Sequence, residues 1–139
     1  DAISVKNDMF YRQKWNLDIE HIISHRYSNP ASNEEDKIEN SIGNLMYLDR
    51  SLNRKLGKMT AGFNFVQDDY NNKIENYSEK VTLQCVRAFL GNYQKYNSPN
   101  DAIEKRRDDK VKFLKKLYDG YVQKVLSESD DDNALLINS

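Results

Sequence analysis

Two stretches, DIEHIIS at residues 18–24 and IGNLMYLDRSLNRKLGK at residues 42–58, decide the fold class. The first is rich in isoleucine and partly alternating, which predicts a strand over residues 16–24. The second predicts another strand, entered through Gly43, followed at once by a helix that Ser51 can cap. Between them, HRYSNPASNEEDK has the composition of a loop. The order is therefore strand, long loop, strand, short helix.

The rest of the chain predicts helices. Apolar residues keep helical spacing from Ser78, a candidate cap, to Tyr93. A further helix should begin after Ser98, with Pro99 at its first position. Its apolar face is expected to run through Val111, Leu114, Leu117, Tyr118, Tyr121, Val122 and Val125.

Length and patterning together predict an α+β domain with a mainly helical remainder. A chain of 139 residues suits one domain over residues 1–126. Within it we expect a ββα core at about 16–60 and helical support at about 64–126. Residues 127–139 should form a flexible acidic tail.

Composition excludes several classes of protein. With 38% apolar and 31% charged residues, the chain is globular rather than disordered. No apolar run approaches the roughly 18 residues that a membrane span needs, and no signal-peptide pattern opens the chain. One cysteine, Cys85, excludes an internal disulfide framework and a cysteine-built zinc site, which fits a cytoplasmic setting. Because the first residue is Asp1, we expect a fragment of a longer protein.

The net charge of −1 conceals segregated charge. Residues 49–58 contain four basic side chains against one Asp, and residues 105–116 contain seven against two. Acidic residues concentrate at 34–39 and in the tail. Each basic run could be a solvated surface or a phosphate-binding surface. The four basic residues of the first run, which are the candidates for phosphate contact, are Arg50, Arg54, Lys55 and Lys58.

Four polar residues fall at the joints of the strand–loop–strand–helix unit. Glu20 and His21 end the first strand, Asn44 begins the second, and Asn53 lies in the first turn of the helix. Each alone has an ordinary structural role, but the topology can bring the four together. A neutral imidazole is a good general base for water. Carboxylate and amide oxygens suit Mg²⁺ (or Mn²⁺). A general base and a metal ion beside cationic side chains are the groups that catalyse phosphodiester hydrolysis.

In the order Glu20-His21, Asn44, Asn53, these residues resemble the ββα-metal motif of His-Me finger (HNH) nucleases. The segments IEHI, IGNL and LNRKL are closest to the C-terminal nuclease domain of GmrSD-type modification-dependent restriction proteins. A later I..R…L pattern of that domain is similar to Ile103 followed by Arg106 or Arg107.

The resemblance implies a role for each residue. His21 would be the general base, and Asn44 would hold it in place through backbone hydrogen bonds. Glu20 and Asn53 would bind the metal. Because alternating strand residues face opposite sides, Asp18 lies on the face of Glu20 and is the reserve ligand. The proline common just after the HI pair is absent, since Ser24 stands there.

The implied function is metal-dependent nicking or cleavage of DNA in bacterial or phage restriction and defence. A recognition or NTP-hydrolysing module, in the same or a partner protein, would supply specificity. A homo-oligomer would supply a cut in each strand. Two rivals stay open: a homing or colicin-like nuclease with the same site, and a non-catalytic DNA- or protein-binding module that kept the fold.

Overall fold

The computed structural model describes residues 16–27, 38–79 and 83–138. Its sheet has two antiparallel strands, β1 (Leu17–His21) and β2 (Leu45–Asp49). Four α-helices follow, so the prediction of an α+β fold with a ββα unit and a helical remainder is confirmed. They are α1 (Arg50–Thr60), α2 (Val66–Glu79), α3 (Gln84–Tyr93) and α4 (Pro99–Asn138).

Both strands are shorter than the sequence predicted. β1 ends at His21, opposite Leu45, and its pairing with β2 stays regular to that point. Ile22 and Ile23 leave the strand but are almost fully buried. Residues Ile42–Asn44 form a 3-10 turn instead of the start of β2. The apolar character of Ile22 and Ile23 therefore reflects burial in the core and not strand pairing, whereas Ile42 is exposed.

The cap of α1 is Asp49 and not Ser51, so that prediction is wrong. The Asp49 carboxylate accepts a hydrogen bond from the backbone nitrogen of Leu52 at 3.1 Å. The Ser51 hydroxyl donates to the same carboxylate. The helix consequently begins two residues earlier than a Ser51 cap would give, at Arg50, directly after the last strand residue.

The prediction of one helix starting at Ser78 is also wrong. The Ser78 hydroxyl donates to the carbonyl of Ile74 inside α2, and that helix ends at Glu79. α3 begins afresh at Gln84, with Leu83 as its N-terminal cap residue. Apolar residues keep helical spacing across 78–93 even though one helix ends and another begins within this segment, so spacing alone did not reveal the boundary.

The core lies between the sheet and the helices of the first compact unit, residues 1–108. α1 packs against both strands and against α2, while α3 packs against β2 and α2. The buried apolar side chains are Leu17, Ile22, Ile23, Met46, Leu48, Leu52, Leu56, Tyr70, Tyr77, Leu83, Val86, Phe89, Ala102 and Ile103.

The second compact unit, residues 109–139, contains the remainder of α4. The apolar face predicted here is largely solvent-exposed: Leu114 and Tyr118 are 54% and 67% exposed. α4 continues beyond Leu126, through the acidic segment, to Asn138.

Within the ranges that the structure describes, no helix combines the length and the apolar character needed to cross a membrane.

Candidate functional site

His21 is the last residue of β1, and its side chain is half-buried. The centroid of its ring lies 4.4 Å from that of His25, with the two planes tilted by 47°. His25 is exposed and begins the 3-10 turn His25–Tyr27. The two histidines of the chain thus lie side by side at the sheet edge, although sequence analysis singled out only the first.

Asn44 fixes the backbone immediately after His21. Its side chain is fully buried and makes two hydrogen bonds to the backbone of Ile23. The Asn44 Oδ1 atom accepts from the Ile23 nitrogen at 2.6 Å, and Nδ2 donates to the Ile23 carbonyl at 2.9 Å. The Asn44 carbonyl also accepts from the nitrogen of Ile22 at 2.9 Å. An amide carries a donor and an acceptor on adjacent atoms, so one side chain can satisfy both backbone groups of the same residue.

Gly43 and Arg106 hold the segment that carries Asn44 against α4. A Cβ atom at Gly43 would lie 2.3 Å from the carbonyl oxygen of Ile103, so only glycine allows this approach. The buried Arg106 guanidinium donates to the carbonyls of Gly43 and Leu45 at 2.7 and 2.8 Å. Arg107 instead is half-exposed and pairs with its neighbour Asp108. Of the two candidate arginines, Arg106 is therefore the one whose guanidinium hydrogen-bonds to the ββα unit.

Glu20 points inward and forms a buried ion pair. Its Oε1 atom lies 2.5 Å from Nζ of Lys73, and both side chains are almost fully buried. The same ammonium donates to the carbonyl of His21 at 2.6 Å. Burial raises the pKa of Glu20, and the charge of Lys73 offsets part of that rise. Burial, then the Glu20 charge, raises the pKa of the adjacent Tyr77 well above its ordinary value.

A second buried carboxylate, Asp69, ties the segment after β1 to two helices. It accepts hydrogen bonds from the hydroxyls of Ser24 at 3.1 Å and Thr60 at 2.8 Å. The Thr60 carbonyl in turn accepts from Arg26 at 2.9 Å. Sequence analysis missed both Asp69 and Lys73. The available signal is their i, i+4 spacing, which places both on the side of α2 that also carries Tyr70 and Tyr77.

Asn53 and the four basic residues lie on different parts of α1. Leu52 and Leu56 face the core, and Asn53 is half-buried beside them. Arg50, Arg54, Lys55 and Lys58 line an open groove of about 810 Å³. The remaining lining residues are Asn16, Asp49, Ser51 and Met59, so Asn53 is not among them.

The described residues do not present a preformed carboxylate site for a metal. Glu20 is paired with Lys73, and Asp18 accepts from Arg50 at 3.1 Å. No cluster of three or more His, Cys, Asp or Glu side chains able to hold a metal occurs in the described segments. A cation bound by Glu20 would have to replace the Lys73 ammonium, whereas the half-buried Asn53 amide is a suitable hard ligand.

Comparison with protein families gave a match over residues 2–113 to the model described as "GmrSD restriction endonucleases, C-terminal domain". Curated proteins and solved structures gave no match. The matched region includes β1, β2, the first three helices and the Gly43–Arg106 contact. The chain therefore belongs to the family of GmrSD restriction endonuclease C-terminal domains.

Proposed function

We propose that this domain is an HNH-type endonuclease that hydrolyses DNA phosphodiester bonds with a divalent metal. The observation that carries the proposal is the support around His21. The Lys73 ammonium donates a hydrogen bond to the His21 carbonyl. Two residues later, the Asn44 side chain makes hydrogen bonds to both the nitrogen and the carbonyl of Ile23. A half-exposed imidazole on so constrained a backbone suits a general base, which has to meet a water molecule in a fixed geometry.

In this proposal His21 removes a proton from the water that attacks phosphorus. Neutral imidazole is a suitable acceptor near neutral pH. Asn44 is a positioning residue, since its side chain bonds are made to the backbone of Ile23 and not to the reacting atoms. His25, whose ring lies next to that of His21, is outside the proposed chemistry.

Mg²⁺ or Mn²⁺ is the proposed metal, with Asn53 and Glu20 as the ligands that the motif implies and Asp18 as the reserve. A bound metal would neutralise charge on the phosphate and the leaving oxygen. The accessible Asn53 amide supports its part of this assignment. Glu20 is paired with Lys73, and Asp18 is paired with Arg50. These ion pairs weigh against metal binding by the two carboxylates, because each already has a cationic partner.

The groove on α1 is the proposed path of the DNA backbone. Its four cations, Arg50, Arg54, Lys55 and Lys58, could bind successive phosphates without reading the base sequence. By membership of the family, the proposed setting is restriction of foreign DNA in a bacterial or phage-infected cytoplasm. A recognition or NTP-hydrolysing module would then choose the target.

One observation favours a second candidate, a DNA- or protein-binding module without catalysis. The Glu20 carboxylate, expected to hold the metal, is used as the buried partner of Lys73. If Glu20 stays paired with Lys73 and never binds a metal, the motif residues would serve only to stabilise the fold. The two candidates differ in whether His21 is needed for turnover or only for structure.

A plasmid-nicking assay with Mg²⁺ or Mn²⁺ separates the candidates. The wild type should convert supercoiled DNA to the open circle, and His21→Ala should lose at least about 100-fold in rate, as for removal of a general base. His25→Ala, a change of the same size at the neighbouring ring, should retain activity. Equal nicking by His21→Ala, or no nicking by the wild-type protein with either metal, would overturn the nuclease proposal. DNA binding by that inactive protein would support the second candidate.

A further inference from the structure

The second compact unit carries an apolar stripe that α4 exposes along one side. Along the sequence, successive residues of this stripe are alternately three and four positions apart. Each is between 43% and 67% exposed in the structure. We define the α4 stripe by these five residues: Val111, Leu114, Tyr118, Tyr121 and Val125.

The spacing of the α4 stripe is the first argument about its occupant. Steps of three and four average 3.5 residues, which is the a/d repeat of helices that pair in a left-handed coiled coil. Leu117 and Val122 broaden the stripe at flanking positions. Leu126 and Phe113 lie well to either side of it on the helix, and so provide comparison positions. A contiguous exposed stripe of this kind marks an interaction surface.

Charge is the second argument, and it decides the orientation. The amino-terminal part of this segment carries Lys110, Lys112, Lys115 and Lys116, whereas Glu128 and Asp130 begin the acidic part. Two parallel copies would place like charges side by side. Two antiparallel copies would bring the lysine end of each helix alongside the acidic end of the other, which is favourable.

We propose that the α4 stripe pairs with the same stripe of a second copy in an antiparallel two-helix coiled coil. The register that matches the repeat places Tyr118 against Tyr121 of the second copy, and Leu114 against Val125 of the second copy. Because the arrangement is two-fold symmetric, each contact occurs twice. Val111 then lies near Glu128 at the solvent-open ends. The paired segment, residues 111–125, is about 21 Å long at 1.5 Å per residue.

The proposed dimer does not rest on the proposed nuclease function. It would, however, affect how that function is carried out. Each copy would bring its own ββα unit, so the assembly would contain two proposed sites. One site cuts one strand at a time, so two sites would allow both strands of a duplex to be cut by one assembly. The test below measures assembly alone and therefore fails or succeeds independently of any nuclease activity.

Analytical ultracentrifugation of the 139-residue chain tests the assembly. The expected mass is twice the 16.3 kDa of one chain, falling to one chain on dilution. Leu114→Lys should be monomeric at concentrations where the wild type is dimeric. Leu126→Lys, the same change at an exposed position off the stripe, should remain dimeric. A monomeric wild type at every concentration, or equal loss of dimer in both variants, would overturn the proposal.

Disulfide trapping tests the orientation, with Cys85→Ser to remove the native thiol. A mixture of Leu114→Cys and Val125→Cys proteins should form the mixed disulfide on mild oxidation. Leu114→Cys alone should form little dimer, because in the antiparallel register its two copies lie well beyond the Cα separation of about 7 Å that a disulfide tolerates. Efficient trapping of Leu114→Cys with itself would overturn the antiparallel arrangement in favour of a parallel pair.

Discussion

Lys73 Nζ lies 2.5 Å from Glu20 Oε1 and 2.6 Å from the carbonyl oxygen of His21, so one ammonium joins α2 to the last two residues of β1. All the charge involved is removed from water, since both side chains are almost fully buried. A buried ion pair is costly to form but still more costly to break on one side. The position of the proposed base is thus coupled to an ion pair whose carboxylate, Glu20, is the residue that the family resemblance assigned to metal binding.

Breaking this pair from either side should destabilise the fold strongly. We expect Glu20→Gln to lower the free energy of unfolding by about 3–5 kcal/mol, because it leaves the Lys73 ammonium buried without a counter-charge. Lys73→Met should lower the free energy of unfolding by a similar amount, because it leaves the Glu20 carboxylate buried without its cationic partner. The Glu20→Gln/Lys73→Met double variant should lose less than the sum of the two. Urea unfolding in the presence of EDTA measures all three without any contribution from metals.

The result bears on the metal assignment of Glu20. If Glu20→Gln leaves stability unchanged in EDTA, and the two single changes are additive, the pair does not hold the fold together. Glu20 would then be available as a ligand. Strong coupling between Glu20 and Lys73 would instead leave Asn53 as the better-supported ligand.

Asn44→Ala should cost about 2–4 kcal/mol. The change leaves the nitrogen and the carbonyl of Ile23 without their partners at a fully buried position, at roughly 1–3 kcal/mol for each unsatisfied group. Hydrogen exchange should show the loss locally, as reduced protection of the Ile23 amide. Asn64→Ala, at an exposed asparagine, should stay within about 0.5 kcal/mol of wild type. Unchanged protection of the Ile23 amide in Asn44→Ala would contradict the role given to Asn44.

Gly43→Ala should be severely destabilising for a steric reason. The added Cβ would lie 2.3 Å from the Ile103 carbonyl oxygen and 2.7 Å from the Arg107 nitrogen, so α4 would have to move. A cost of at least about 3 kcal/mol is expected, at the upper end of single substitutions. Gly57→Ala is the matched control, since nothing lies within 4 Å of its added Cβ. That change, inside α1, should stabilise the domain by up to about 1 kcal/mol. Thermal unfolding followed by circular dichroism measures both.

Arg106→Met should also be destabilising, whereas Arg107→Met should be nearly neutral. Arg106 alone donates to the Gly43 and Leu45 carbonyls, and Arg107 pairs with exposed Asp108. Loss of two hydrogen bonds from a charged donor should cost about 3 kcal/mol or more. Thermal unfolding of the two variants compares adjacent arginines of identical size. Equal effects would show that burial, and not these two hydrogen bonds, determines the contribution of Arg106.

The local parts of this fold could be predicted from the sequence. Isoleucine-rich segments separated by a turn-rich loop indicated β1 and β2, and the sequence order of Glu20, His21, Asn44 and Asn53 indicated the ββα unit. These features depend on neighbours in sequence or on a spacing of a few residues. For the same reason, the cap of α1 was wrong by only two positions, since Asp49 and Ser51 are both good cap residues.

Other parts could not be predicted, because they depend on distant partners. Lys73 on a polar helix resembles an ordinary surface residue, and its burial is set by Glu20, 53 positions away. The apolar spacing of Leu114 and Tyr118 was correct as a pattern, but spacing cannot say whether the partner is the same chain. In the structure these apolar side chains are exposed.

The groove on α1 should bind DNA through phosphates, with a measurable dependence on salt. Each cation that contacts a phosphate contributes about 0.9 to the slope of log affinity against log salt concentration. Lys58→Gln and Arg54→Gln should each lower the slope by about that amount, and the double variant by about twice as much. Lys95→Gln, at an exposed lysine whose ammonium lies over the ring of Tyr96, should leave the slope unchanged. Fluorescence anisotropy with a labelled duplex, in EDTA to prevent cleavage, measures the slopes. Equal slopes for the wild type and all four variants would place the DNA-binding surface elsewhere on the chain.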